Sequence, residues 1–298
     1  LTISLLLLSL FLGAQSINNV VINNSPSCPG DFDGDVTVNI NQTSPVSFVE
    51  IFLYRENPFF PGIFVQIGNA SGSNNQFFFA GLDATNYRLD LTDTLGALLD
   101  QETFTINEPA DLSATFITTN MSCNGLSNGA IDLIVNGGTP FNQGNPYSYS
   151  WTGPGSFSSS SEDLSSLSNG LYTCVIVDFK GCSLSVDTNI IEPSILTSNG
   201  SISQSIVGNG NYNGEITAQA NGGTPPYQYS INNLPFQSNP VFDSLNAGPY
   251  TLTYTDTNGC QTQETITLTE PIGVSGYINI ISSISCNGYC DASLKFNV

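Results

Sequence analysis

Seven cysteines and one cluster of aspartates are the side chains of this sequence that could form covalent bonds or bind a metal ion. The chain has no histidine and no C-x-x-C pair, which leaves Ser-His-Asp or Cys-His catalysis, zinc or haem sites and thioredoxin-type motifs without support. Disulfide formation remains, and it requires an exported protein. The cysteines are Cys28, Cys123, Cys174, Cys182, Cys260, Cys286 and Cys290.

The aspartate cluster consists of Asp31, Asp33 and Asp35 in the segment CPGDFDGD. Carboxylate oxygens that alternate around a glycine can ligate Ca²⁺, so a calcium site is one interpretation of the segment, and no other cofactor is suggested. The twelfth-position Glu of an EF-hand is missing, and related turns carry Asn128 and Asn213 where this turn has Asp33. A solvated turn is therefore the favoured interpretation, and a calcium site at Asp31, Asp33 and Asp35 is the alternative.

Composition excludes several classes of partner. The 298 residues include 24 acidic and only 4 basic ones, for a net charge of -20. Such a charge repels nucleic acid and anionic lipid, and the chain has no phosphate-binding loop. Residues 1–16 begin with LTISLLLLSLFLG, which is too short for a membrane span and typical of a signal peptide that lacks its first residues. We expect an exported protein whose mature chain is not inserted in a membrane.

Internal repetition organises the remaining sequence. Cys123-NGLSNGAIDLIVNGGTP and its continuation to IIEP align with Gly208-NGNYNGEITAQANGGTPPY and its continuation to LTEP. A more divergent copy precedes them, and a further copy starts at SCNGYC. The predicted domains are a degenerate repeat at 17–110 (repeat 1), repeats at 111–194 (repeat 2) and 195–272 (repeat 3), and a truncated start of another repeat at 273–298.

Local patterns predict an all-β fold of tandem immunoglobulin-like β-sandwiches, arranged like beads on a string. Apolar residues alternate with period two, as in Val36, Val38 and Ile40, and Asn-Gly or Gly-Gly steps separate the strands. Each repeat has a Leu followed five residues later by a Tyr at the start of a strand, which predicts a tyrosine corner. Trp151 is interpreted as core packing, with a sugar-stacking platform as the alternative.

The cysteines allow more than one disulfide pairing. Cys123–Cys182 within repeat 2 would stabilise a small exported sandwich, although ordinary immunoglobulin topology places these two loops at opposite ends, beyond the roughly 7 Å that a disulfide spans between Cα atoms. The alternative Cys260–Cys286 would join neighbouring repeats. Cys174 aligns with apolar residues of the other copies and is predicted to be a core thiol, whereas Cys290 has no assigned partner.

The acidic residues could in principle form the carboxylate pair of a glycosidase. However, they recur at equivalent positions in every repeat, as Asp93, Asp178 and Asp256 do, together with the Glu of each Glu-Pro step. An active site is usually built once, so recurrence favours a structural role. We therefore predict no catalytic residues and no enzyme activity.

The composite pattern C-N-G…G-G-T-P…L-x-x-G-x-Y…D-x-x-G-C…E-P resembles the SprB repeat. The resemblance is strong over residues 111–272, loose over 17–110 and fragmentary over 273–298. This repeat family occurs in large surface adhesins of Bacteroidota and is named for a gliding-motility protein. The resemblance implies a repetitive, non-enzymatic exoprotein that is exported by a signal peptide and then by the type IX secretion system. It supplies no defined ligand.

These observations predict an adhesin, or a stalk segment of one, that projects a binding function from the cell surface. The alternative is a carbohydrate-binding or spacer module of a secreted multidomain hydrolase. The expected partner is an extracellular surface or glycan. Nothing in the sequence indicates a homo-oligomer.

Overall fold

The computed structural model describes residues 15–41, 48–73, 75–273, 276–282 and 293–297. Most of the predicted signal peptide, together with Cys286 and Cys290, lies outside the described residues. The described chain forms 24 β-strands and one short 3₁₀ turn at Pro154–Ser156. No helix within these ranges is long and apolar enough to cross a membrane. The all-β prediction is confirmed.

Repeat 1 forms two antiparallel sheets with the strand orders β1-β2-β5 and β4-β3-β6-β7. Strand β2 shows why these segments fold as strands, since its Val36 and Val38 are fully buried while the alternating Asp35, Thr37 and Asn39 are partly exposed. Side chains from both sheets form one apolar core, which includes Ile51 and Leu89. The strands are β1 (Ser16–Asn24), β2 (Gly34–Asn41), β3 (Val49–Asn57), β4 (Phe60–Gly72), β5 (Gln76–Leu82), β6 (Asn86–Asp93) and β7 (Leu98–Thr105).

Repeat 2 has the same pair of sheets in the same order. Its sheets are β8-β9-β12 and β11-β10-β13-β14, which correspond one for one to the strands of repeat 1. The strands are β8 (Ser113–Thr119), β9 (Gly129–Asn136), β10 (Ser148–Gly153), β11 (Phe157–Ser159), β12 (Leu164–Leu167), β13 (Gly170–Val177) and β14 (Ser183–Ile190).

Repeat 3 keeps three-stranded versions of both sheets, β16-β17-β20 and β19-β21-β22, with a small pair of β15 and β18. Its core includes Ile216 and Leu252. The last two strands, β23 and β24, pair with each other. The strands are β15 (Thr197–Ser198), β16 (Ser201–Gln204), β17 (Gly214–Thr217), β18 (Ala220–Asn221), β19 (Gln228–Ile231), β20 (Val241–Leu245), β21 (Gly248–Thr255), β22 (Gln261–Leu268), β23 (Tyr277–Ser282) and β24 (Ser293–Asn297).

The predicted tyrosine corners are present in repeats 1 and 3. The hydroxyl of Tyr87 donates to the backbone carbonyl of Asp83 at 3.0 Å, and the hydroxyl of Tyr250 donates to that of Asn246 at the same distance. The matching Tyr172 of repeat 2 is 1% exposed. This feature, together with the paired antiparallel sheets, defines an immunoglobulin-like sandwich.

The chain divides into two compact units. One consists of the described residues up to Ile117 together with Ile131–Asp163 and Leu171–Thr188, and the other consists of Thr118–Ala130, Leu164–Gly170 and the described residues from Asn189 onward. The predicted repeat boundaries and the beads-on-a-string arrangement stay predictions.

Candidate functional site

Each repeat has, between two strands near its start, a tight turn that is closed by a hydrogen bond to a side-chain oxygen. In repeat 1, Asp33 Oδ1 accepts the backbone N–H of Ser27 at 2.8 Å. In repeats 2 and 3 an asparagine does the same, and each accepts the N–H six residues earlier at 3.1 Å. The equivalent acceptors are Asp33, Asn128 and Asn213. We call this turn the entry turn of each repeat, comprising residues 27–33, 122–128 and 207–213.

The Glu-Pro step at the end of each repeat closes the same turn from the other side. Its glutamate accepts the backbone N–H of the glycine in the middle of the entry turn, at 2.8 Å in repeat 1, 3.0 Å in repeat 2 and 2.7 Å in repeat 3. The pairs are Gly30 with Glu108, Gly125 with Glu192, and Gly210 with Glu270. The recurring glutamates therefore bind backbone, which supports the predicted structural role.

The recurring aspartates shape a second turn, between the last two strands of each repeat, which we call the F–G turn (93–97, 178–182 and 256–260). Asp178 is 2% exposed, and its Oδ1 accepts the N–H groups of Lys180 and Cys182, both at 2.9 Å. Its Oδ2 accepts the N–H of Thr139 at 2.7 Å. A carboxylate with three backbone donors is a positioning group for the turn.

Repeats 1 and 3 show the same arrangement. Asp256 accepts the N–H groups of Asn258, Cys260 and Thr224, at 2.9, 2.9 and 2.8 Å. In repeat 1, Asp93 accepts the N–H groups of Leu95 and Ala97 at 2.9 and 2.8 Å. The acids that could have formed a glycosidase pair are thus bound to local backbone in all three repeats.

The Gly-Gly-Thr-Pro motif has a steric explanation in the close approach of two chain segments. A Cβ on Gly137 would lie 1.9 Å from the carbonyl oxygen of Asp111, and one on Gly222 would lie 2.0 Å from that of Ile195. Both glycines have positive φ, +83° and +75°. In repeats 2 and 3 a tyrosine hydroxyl donates to the backbone carbonyl of this glycine, from Tyr147 at 2.8 Å and from Tyr227 at 2.7 Å.

The two turns bring cysteines of consecutive repeats together. Cys28 in the entry turn of repeat 1 is bonded to Cys182 in the F–G turn of repeat 2, with 5.5 Å between the Cα atoms. Cys123 in the entry turn of repeat 2 is bonded to Cys260 in the F–G turn of repeat 3, with 5.7 Å between the Cα atoms. Each bridge lies within one of the two compact units. Entry turn and next F–G turn therefore form one recurring covalent junction.

The predicted pairing Cys123–Cys182 is wrong, and so is the alternative Cys260–Cys286, because Cys123, Cys182 and Cys260 have other partners. The physical reason is the one that immunoglobulin topology provides: the two loops of one repeat lie at opposite ends of a sandwich, so each cysteine needs a partner from a neighbour. The sequence contains a usable signal. Pairing the two cysteine positions within each repeat leaves Cys28 and Cys260 without partners. Pairing the first position of one repeat with the second position of the next repeat gives all four cysteines a partner.

The second junction has an additional polar contact. The side-chain amide of Asn258 donates to the backbone carbonyl of Ser122 at 2.9 Å and to Thr224 Oγ1 at 3.0 Å. Lys180 occupies the equivalent position in repeat 2. A cavity borders each junction, about 360 Å³ beside Cys28–Cys182 and about 450 Å³ beside the Ser122–Asn258 contact.

The alternative of a calcium site at Asp31, Asp33 and Asp35 finds no ligand set among the described residues. Asp31 and Asp33 both accept the hydroxyl of Ser27, at 3.0 and 2.6 Å, and hydrogen bonds from Ser27 lower the pKa of Asp33. Asp35 instead accepts the side-chain amides of Asn23 and Asn24, each at 2.7 Å. Within the described ranges no three or more Cys, Asp or Glu side chains are grouped as a metal site. Asp33 does the structural work that asparagine does in the other repeats.

Two further predicted residues are in the core. Trp151 is 1% exposed and its Nε1–H donates to the carbonyl of Ser161 at 2.9 Å, so the core interpretation is confirmed and the sugar-stacking platform is wrong. Cys174 is a free, fully buried thiol, as predicted, and desolvation raises its pKa to about 11. A thiol with a raised pKa is a poor nucleophile at neutral pH.

Comparison with known proteins places the SprB resemblance on two segments. Residues 115–156 and 203–236 match the family model of the SprB repeat, and these segments lie in repeats 2 and 3. The predicted resemblance is thus confirmed there, and the chain is a repeat protein with immunoglobulin-like sandwiches. No curated protein matches the chain.

Several solved structures are similar to the chain. A structure on Dscam isoform specificity is 12% identical and covers 84% of this chain and 72% of that chain, with a TM-score of 0.26. The FN1–FN3 domains of chicken CNTN1 are 11% identical over 86% and 99%, with a TM-score of 0.26. The insect immune protein hemolin is 12% identical over 84% and 75%, with a TM-score of 0.28. TM-scores this low carry no argument about function.

Proposed function

We propose that this chain is a non-enzymatic, exported cell-surface repeat protein that serves as an adhesin, or as a stalk segment that presents an adhesin's binding function. The proposal depends most on one observation, the recurring disulfide between the entry turn of one repeat and the F–G turn of the next. Disulfides persist in oxidising compartments, which supports export. The SprB matches at 115–156 and 203–236 support the cell surface as the destination.

The non-enzymatic part of the proposal is supported by the use of the recurring acids. Asp93, Asp178 and Asp256 accept backbone N–H groups of their own F–G turns, and the Glu-Pro glutamates accept those of their entry turns. A general acid or nucleophile must instead face substrate. The proposed partner is an extracellular surface or glycan, reached after export by a signal peptide and the type IX system, and the net charge of -20 disfavours nucleic acid.

The test is antibody labelling of intact cells of the producing bacterium, with antibodies raised against the purified protein. We expect labelling without permeabilisation and its loss after surface proteolysis, with a cytoplasmic protein as the negative control. Labelling that requires permeabilisation would overturn the proposal.

A glycan array with the purified, oxidised protein addresses the partner. Binding to defined glycans supports a direct adhesive role, whereas the absence of binding assigns the chain to the stalk. Hydrolysis of any bound glycan, abolished by Asp178→Asn or Asp256→Asn, would contradict the non-enzymatic assignment and favour the secreted hydrolase.

A further inference from the structure

The two disulfides overlap along the chain. One closes the loop from Cys28 to Cys182 and the other closes the loop from Cys123 to Cys260, so both loops contain residues 123–182. Each bridge therefore has one end inside the loop that the other bridge closes. Consecutive disulfides that each closed their own repeat would not have this connectivity.

With this connectivity, three separate segments of the chain each connect one disulfide to the other. The first is 28–123, which contains β2–β8, the second is 123–182, which contains β9–β13, and the third is 182–260, which contains β14–β21. When several segments that share the same two attachment points are stretched, the shortest one becomes taut first and limits the extension. The shortest is 123–182, the body of repeat 2.

We infer that the chain has a further function as a tension-limiting tether, in which residues 123–182 carry the load when the two ends are pulled. The segments 28–123 and 182–260 stay slack, so most of repeats 1 and 3 is protected from extension. Strands β1 and β22 lie outside the closed loops and are loaded directly. The inference rests on the proposed function for the origin of the load, since an adhesin is pulled by its ends.

The expected size of the effect follows from chain lengths. Between Cys28 and Cys260 the taut path runs across the first bridge, back along 123–182 and across the second bridge. It contains about 60 residues instead of about 230, which at roughly 3.5 Å per residue is about 200 Å instead of about 800 Å. Reduction of both bridges should thus release about 600 Å of hidden chain.

The test is single-molecule pulling on the full chain by its two ends, in oxidising buffer and then in reductant. A Cys286→Ser, Cys290→Ser background removes the two thiols that lie outside the described residues. We expect reduction to increase the fully extended contour length by about 600 Å at roughly 3.5 Å per residue. Cys174→Ala is the matched control, because this thiol is unpaired and should leave the change unaltered.

Variants with one bridge test the overlap itself. With only Cys123–Cys260, which spans 137 residues, reduction should release about 480 Å, and with only Cys28–Cys182, which spans 154, about 540 Å. Two bridges should therefore hide little more chain than either bridge alone. A release close to the sum of the single values, a release of about 200 Å as for a Cys123–Cys182 bridge, or no release would overturn the inference. These outcomes do not depend on surface labelling, so this inference and the proposed function can fail separately.

Discussion

The entry turns of repeats 1 and 3 have the same hydrogen bonds but differ in cross-linking. In repeat 1 the turn holds Cys28, which is bonded to Cys182, whereas in repeat 3 Gly208 occupies the cysteine position. In both turns a side-chain oxygen, that of Asp33 or of Asn213, accepts a backbone N–H. Both turns also keep the glutamate of the Glu-Pro step. The turn therefore forms without the disulfide, and the disulfide serves to connect repeats.

The F–G turns support the same conclusion from the opposite side. Ala97 in repeat 1 stands where Cys182 and Cys260 stand in repeats 2 and 3, yet Asp93 binds the turn in the same way. Hydrogen bonds thus define the shape of the two turns. The cysteines lie in turns that form without them and link one repeat to the next. Four sets of variants test whether hydrogen bonds and disulfides have these separate roles.

Loss of both disulfides should destabilise the chain more than any other change. On the chain-entropy model each loop of 154 or 137 residues stabilises the folded chain by about 5 kcal/mol at most. In a Cys286→Ser, Cys290→Ser background, we expect reductant to lower the Tm by roughly 10–20 °C, measured by circular dichroism. A variant in which Cys28, Cys123, Cys182 and Cys260 are all serine should keep its β spectrum and lose the response to reductant. Loss of the β spectrum in that variant would show that the turns need the bridges.

The second effect concerns the buried aspartates. Asp178→Ala or Asp256→Ala leaves three backbone N–H groups without an acceptor, which should cost about 3–5 kcal/mol of unfolding free energy. Asp93→Ala removes the acceptor of two N–H groups in a less buried turn and should cost about 1–2 kcal/mol. Urea denaturation measures both.

Thiol titration of the refolded aspartate variants provides a second measurement. If these side chains position the half-cystines, Asp256→Ala should leave Cys123 and Cys260 partly reduced, whereas Asp93→Ala should leave the number of free thiols unchanged. Equal costs for Asp93→Ala and Asp256→Ala would argue against the positioning role.

Sequence patterns predicted the features that are local and failed for those that depend on a neighbouring repeat. Period-two alternation identified β2, and the Leu–Tyr spacing identified the corners at Tyr87 and Tyr250, because each involves residues close in sequence. The disulfides join residues 154 and 137 positions apart, and no pattern within one repeat reveals that contact. The calcium alternative relied on the type and spacing of the aspartates, and neither shows that the Asp33 carboxylate has the hydrogen-bonding role of Asn128.

The third effect compares the tyrosine corners of repeats 1 and 3. Tyr87 donates to the Asp83 carboxylate at 2.7 Å as well as to its carbonyl, while Tyr250 donates to the neutral side chain of Asn246. Burial and the nearby Asp83 carboxylate raise the pKa of Tyr87. Because bonds to charged acceptors are stronger, we expect Tyr87→Phe to cost about 2 kcal/mol and Tyr250→Phe about 1 kcal/mol in urea denaturation. The reverse order would show that the charge of Asp83 is already neutralised by its ion pair with Arg55.

Asp33→Asn should change stability least, because it converts the entry turn of repeat 1 to the form found in repeats 2 and 3. Hydrogen bonds from Ser27 lower the pKa of Asp33 in the folded chain, so its contribution to stability is present above the unfolded pKa and is lost as pH falls through the folded pKa. Asn keeps an oxygen acceptor that does not titrate. We therefore expect a slightly lower Tm near neutral pH and a weaker loss of stability below about pH 4.

The matched control for this change is Asn128→Asp, which introduces the acid into repeat 2 and should strengthen the acid dependence there. Thermal unfolding between neutral and acidic pH measures both variants. If Asp33→Asn and Asn128→Asp shift the acid dependence in the same direction, the two entry turns are not equivalent, and the structural role assigned to Asp33 is wrong. If Ca²⁺ raises the Tm of the unmodified chain and not that of Asp33→Asn, the carboxylate has a metal-binding role that asparagine does not replace.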